Sequence, residues 1–146
     1  LVPGYEAPIY IAWSVTNRSP LIRIPVTRGE GTRVELRCPD SAANPYLTLA
    51  VCLQAGLDGI RNQIEPPAAV TENVFEMQLQ QRAKLGIESL PGDLEQAVEE
   101  LEKDDYIKNV LGGHITEKYL EAKRAEWADY RAQVSDWEIN NYLYKI

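Results

Sequence analysis

The sequence predicts an α+β fold in which short antiparallel strands come first and a helical mass follows. Apolar and β-branched runs at residues 9–15, 21–26 and 32–36 read as strands, with turn-forming residues at Asn17-Arg18-Ser19-Pro20 and Arg28-Gly29-Glu30-Gly31 between them. The texture changes at Pro39-Asp40, and helical periodicity dominates from Asn44 onward. Turns this short connect antiparallel neighbours more readily than parallel ones. One domain is therefore expected over 1–146, with strands about 1–40 and helices about 41–146.

The helices follow in order. Asn44 is placed to cap a helix with Pro45 at its first position, and Tyr46, Leu47, Leu49, Val51, Leu53, Leu57 and Ile60 then cover nearly every face. Such a helix is expected to be buried. Glu65-Pro66-Pro67-Ala68-Ala69 ends it as a loop, and the polar stretch near Gln78 to Lys84 reads as a mobile surface excursion. Leu94, Ala97, Val98 and Leu101 have the spacing of an amphipathic helix, and a second through Tyr106, Ile107, Val110 and Leu111 is expected to stop at Gly112. From Ile115 the residues Tyr119, Trp127, Tyr130, Val134 and Trp137 predict one long helix with an aromatic face, which must dock on something.

Composition narrows the function classes. With 146 residues, 45% of them hydrophobic, the chain can build a core. It starts at Leu1 with no signal-peptide pattern, so the N-terminus reads as cut. No apolar run approaches the roughly 20 residues that cross a bilayer, and Cys38 and Cys52 read as reduced thiols. A soluble, cytoplasmic chain with no membrane partner is expected. The net charge of −7 argues against nucleic-acid binding but conceals an asymmetry. Arg18, Arg23, Arg28, Arg33 and Arg37 cluster early, no lysine precedes Lys84, and acids crowd the region from Glu88 onward.

That cluster carries the chemistry. Side chains alternate along an extended segment, so Arg33, Glu35 and Arg37 share a face, Arg23 can join them from the neighbouring strand, and Arg18 and Arg28 come from the turns. Guanidinium groups bind carboxylates and phosphates through a planar fork and keep their charge at any working pH. Phosphoryl transfer needs such groups, and it also needs carboxylates to hold metal ions, for which Glu35 is the natural candidate. A solvated salt-bridge ladder is the commoner reading of the same pattern. A phosphate-backbone site is disfavoured by the acidic surroundings. No phosphate-binding glycine loop or nucleophile triad occurs, and the lone histidine, His114, reads as structural.

Four blocks stand in order as in bacterial glutamine synthetases: LVPGYEAP at 1–8, NRSPLIRIP at 17–25, RVELR at 33–37 and AANPYL at 42–47. AGLDGI at 55–60, Glu126-Trp127 and Asp136-Trp137-Glu138 extend the match along the whole chain. The chain thus resembles the C-terminal part of the glutamine synthetase catalytic domain, whose fold is shared with guanido kinases. The resemblance implies glutamate-ammonia ligase chemistry: ATP phosphorylates the γ-carboxylate of L-glutamate, and ammonia displaces phosphate from the γ-glutamyl phosphate. It implies ATP and Mg2+ (or Mn2+) as cofactors and a place in glutamine biosynthesis and nitrogen metabolism.

It also assigns roles. Glu6 is similar to the flap glutamate that covers the substrate and takes a proton from ammonium. Arg18 is similar to the arginine that reaches substrate and transferring phosphoryl group, Arg23 to the ATP-phosphate arginine, Glu35 to a metal ligand and Arg37 to a substrate-binding arginine. These roles suit the chemistry. Fixed cations lower the barrier to gathering anionic oxygens, ammonium becomes a nucleophile only after losing a proton, and a flap keeps water from the acyl phosphate.

Two positions depart from the family pattern. Glu30 stands where some members carry a lysine or another ATP-side residue, and Phe75, in Glu72-Asn73-Val74-Phe75, replaces the tyrosine that adenylylated members modify. The second departure leans toward the feedback-controlled type of Gram-positive and related bacteria. The family's N-terminal β-grasp domain, its other metal-binding glutamates and histidine, and its glycine-rich substrate segment have no counterpart from Leu1 onward. The chain by itself is therefore expected to be inactive. The alternatives are a noncatalytic assembly or regulator-binding module, since the aromatic C-terminal helix resembles the segment joining the two rings of the family's dodecamer and related enzymes contact transcription regulators, and a carboxylate-amine ligase acting on another acceptor.

Overall fold

The computed structural model describes residues 8–143 and 145. The α+β class is borne out. Strands β1 (Trp13–Ser14), β2 (Ile22–Arg23) and β3 (Glu35–Leu36) precede helices α1 (Pro45–Arg61), α2 (Leu79–Lys84), α3 (Leu94–Lys103), α4 (Asp105–Leu111), α5 (Gly113–Arg131) and α6 (Asp136–Glu138), the last running into a π-helical turn over Ile139–Leu143. The chain forms two compact units that meet in sequence between Gly92 and Asp93.

In the first unit the sheet order is β1-β2-β3. β2 and β3 pair antiparallel, as expected, with Arg23 opposite Glu35. β1 and β2 pair parallel instead, Trp13 opposite Ile22 and Ser14 opposite Arg23. The reason lies in the connection: the Asn17 carboxamide oxygen accepts from the Ser19 amide at 2.8 Å, forming an Asx turn that sends the chain back in its original direction rather than reversing it. Residues 9–11 also pair with 88–90, through the Ile11 amide to the Glu88 carbonyl and the Leu90 amide to the Ile9 carbonyl, both at 2.8 Å. Ile9, Tyr10, Ala12, Val70, Val74 and Met77 form the core, against which Phe75 and Ile87 pack.

Asn44 caps α1 as its sequence predicts, accepting from the Tyr46 and Leu47 amides. The expected burial of α1 is corrected. None of its residues is buried, and Tyr46 is 84% and Ile60 75% exposed, because no other element of the described residues covers its apolar faces. The stretch expected as a mobile surface excursion contains α2, all of it exposed or half-buried.

In the second unit α3, α4 and α5 pack together around Val98, and the Thr116 hydroxyl donates to the Lys108 carbonyl at 3.2 Å. Gly112 ends α4 with φ +80°, a conformation that suits glycine and also starts α5. The single long terminal helix is corrected to two pieces. α5 stops at Arg131, and Ser135 starts α6 through a capping box in which Ser135 and Glu138 each bond the other's backbone amide. No helix of the described residues is long and apolar enough to cross a membrane.

Candidate anion site

The five early arginines do not form one array. The structure sorts them into two paired with Glu35, one turned to its own loop and two that line a cleft, and the sorting follows from where the turns put them.

Arg23, Arg33 and Glu35 make the paired group. Arg23 Nη1 donates to Glu35 Oε2 at 2.9 Å, while Arg33 donates through Nε and Nη2 to Glu35 Oε1 at 2.9 and 2.6 Å. Each carboxylate oxygen therefore has its own guanidinium, and the two arginines, chiefly Arg23, hold the Glu35 carboxyl below its usual range. This is the ladder arrangement, built across β2 and β3. Arg28 is turned to its own loop, donating to the Pro25 carbonyl at 2.6 Å and the Thr27 carbonyl at 3.1 Å.

Arg18 and Arg37 make the free group. They line one cleft of about 590 Å³, with Thr16, Asn17 and Ser19 on the Arg18 side and Thr71, Asn73 and Phe75 opposite. No acid is among those lining residues. Arg37 is steadied by a 3.3 Å bond to the Pro20 carbonyl, and Arg18 meets no hydrogen-bond acceptor or acid among the described residues. Two uncompensated guanidiniums beside neutral hydroxyls and amides are what an anionic oxygen cluster requires. The neighbouring acid, Glu72, is engaged elsewhere: its carboxylate accepts from Gln81 at 2.8 Å, and the residue lines a separate cavity of about 180 Å³ whose other walls include Ile11, Val70 and Met77.

The expected residues are thus distributed as follows. Arg18 and Arg37 are together; Arg23 and Glu35 are together; Glu6 lies outside the described residues. Sequence reasoning passed over Asn73 and Thr71, which reach the cleft from a loop far along the chain, and over Asn17 and Ser19, whose signal was their place on either side of Arg18 in a turn.

The residues present do not by themselves fit a divalent metal. Among the described residues no three metal-binding side chains gather, and both oxygens of Glu35 are taken by arginine. His114 is exposed at the start of α5 and belongs to no such group.

Comparison with known proteins supplies the context for this cleft. The family model described as "Glutamine synthetase, catalytic domain" matches residues 1–142. The chain is 56% identical over 145 residues to the glutamine synthetase of Clostridium saccharobutylicum, covering 99% of this chain and 33% of that protein. It is 58% identical over 144 residues to that of Thermotoga maritima and 53% over 143 residues to that of Methanosarcina mazei, again covering about a third of each. Among solved structures, a GmaS/ADP complex matches with a TM-score of 0.81 and 38% identity over 94% of this chain and 30% of that one. A ligand-free GmaS matches with a TM-score of 0.77 and 37% identity, covering 94% of this chain and 31% of that one. The chain spans about a third of the length of these relatives, and on the family match it belongs to the glutamine synthetase catalytic-domain family.

Proposed function

We propose that this chain provides the arginine side of a glutamine synthetase active site, where the whole subunit ligates ammonia to L-glutamate at the expense of ATP. The observation that carries the reading is the acid-free cleft between Arg18 and Arg37. Phosphorylation of a γ-carboxylate brings several anionic oxygens into one place, and guanidiniums fixed before the reaction stabilise the charge that gathers there.

Within this reading Arg18 reaches both the substrate carboxylate and the transferring phosphoryl group, and Arg37 holds the substrate. Arg23 serves the ATP phosphates. For that Arg23 must share its guanidinium between Glu35 and a phosphate, which its second Nη leaves room to do. Glu6 takes the proton that turns ammonium into ammonia, and the flap carrying it excludes water from the acyl phosphate.

Glu35 is proposed as one ligand of Mg2+ or Mn2+, a role in which it gives up an arginine and joins ligands that the described residues do not supply. Phe75 lines the cleft without a hydroxyl, which supports control by means other than adenylylation.

The second reading, assembly, is favoured by the exposed apolar side chains Tyr130, Val134, Trp137, Tyr142 and Leu143 near the C-terminus. It complements the first: a dodecamer of full-length subunits in the cytoplasm, with these side chains covered by another copy, and with a transcription regulator as a further partner.

The test uses ATP, L-glutamate and ammonia with the purified 146-residue chain, and with a relative's subunit in which this chain replaces the matching third. Glutamine should form only in the second case. Glutamine formed by the chain alone would overturn the division of labour proposed here.

A further inference from the structure

We infer that Asn17 and Ser19 are positioning residues that hold Arg18 at the cleft by fastening its turn to the segment 72–74. The inference rests on the reading of that cleft as an anion site.

The two neighbours of Arg18 in sequence both send their side chains across to the same place. Asn17 Nδ2 donates to the Glu72 carbonyl, and Ser19 Oγ, in a residue 5% exposed, accepts from the Val74 amide at 3.0 Å. Asn17 is used further: its Oδ1 accepts from the Ser19 amide, and its own amide donates to Ser14 Oγ at 3.1 Å. Asn17 thereby ties Ser14, Ser19 and Glu72 to one point, while Arg18 between them is left exposed and unpaired among the described residues.

The far end of these bonds is itself fixed. Val74 is fully buried in the core, Asn73 closes a turn by accepting from the Phe75 amide and donating to Glu76, and Phe75 lies against Tyr10 with ring centroids 5.9 Å apart. A guanidinium on a flexible stem costs entropy to hold, so an arginine that must meet developing charge gains from a backbone that does not move. Satisfying the flanking amides with side chains fixes that backbone and leaves the arginine's own donors for a ligand.

The experiment uses the 146-residue chain, with inorganic phosphate as the probe and NMR of the Arg18 Nε–Hε group as the readout. Asn17→Ala and Ser19→Ala should each weaken phosphate binding by about two- to tenfold, the loss of one or two neutral hydrogen bonds, and Ser19→Thr, which keeps the hydroxyl, should restore it. In the absence of phosphate, Arg18 Nε should become more mobile on the nanosecond scale in both alanine variants, and Val74 amide exchange should accelerate in Asn17→Ala although that substitution does not touch Val74. Unchanged Arg18 mobility in both alanine variants would overturn the inference whether or not phosphate binds. A chain whose phosphate binding is indifferent to Arg18→Ala would refute the anion-site reading instead, and the mobility measurement still decides the positioning role. Should Asn17→Ala lose its folded spectrum, Ser19→Ala, which removes a single bond, carries the same test.

Discussion

Arg18 and Arg37 face one cleft from two different loops, and the residues lining it include no carboxylate to neutralise them. Glu35, only two positions before Arg37, is committed to Arg23 and Arg33 instead. Two guanidiniums without a carboxylate partner therefore face the same cleft. Phosphate binding by the isolated chain should fall steeply with added salt and should be removed by Arg18→Ala or Arg37→Ala. Arg33→Ala should leave it nearly unchanged. Calorimetry at two ionic strengths checks this, and equal loss in all three variants would contradict it.

Substituting lysine at Arg18 keeps the charge and discards the fork. In a subunit completed with a relative's remaining two thirds, Arg18→Lys should recover only part of the turnover lost in Arg18→Ala, because bidentate geometry is absent. Steady-state kinetics on the two variants side by side provide the comparison.

The Glu35 carboxyl, lowered by its bonds to Arg23 and Arg33, links stability to pH. Its folded pKa lies below that of a free glutamate carboxyl, so the stabilisation is complete above the free carboxyl's range and is lost as pH falls through the folded pKa. Denaturant midpoints measured from about pH 6 down to about pH 3 should show a smaller acid loss in Glu35→Gln than in the unchanged chain.

Much of this was legible beforehand. Asn44-Pro45 announced the start of α1, and the apolar spacing from Leu94 with Gly112 behind it announced α3 and α4, because caps and periodicity are local signals. The parallel pairing of β1 with β2 was not, since turn residues at 17–20 read as a chain reversal and give no sign of the Asn17–Ser19 bond that redirects the chain. The exposure of α1 escaped for a related reason: the sequence shows that the helix can be covered, and burial depends on what covers it. The five arginines could be counted but not sorted, because charge pairing is decided by side-chain reach across β2 and β3.

The exposed faces of α1 carry their own expectation. Leu49→Gln and Leu53→Gln should change the unfolding free energy of this chain by less than about 0.5 kcal/mol, yet reduce binding of a hydrophobic dye. A loss of several kcal/mol would show that the helix packs in solution.

The break before α6 is equally testable. Ser135-x-x-Glu138 is a capping signature that the aromatic periodicity obscures. Ser135→Ala should cost about 1 kcal/mol of local stability, seen as faster amide exchange over residues 136–143 and nowhere in the first unit.

Arg18 is proposed to belong to the site of phosphoryl transfer. Turnover of the completed subunit, measured as ATP-dependent glutamine formation, tests it most directly when Arg18→Ala is compared with the unchanged chain at matched assembly state. A fall of roughly a hundredfold or more in kcat is predicted, the scale on which losing one preorganised charge-stabilising group acts. A kcat within about twofold of the unchanged subunit would contradict it.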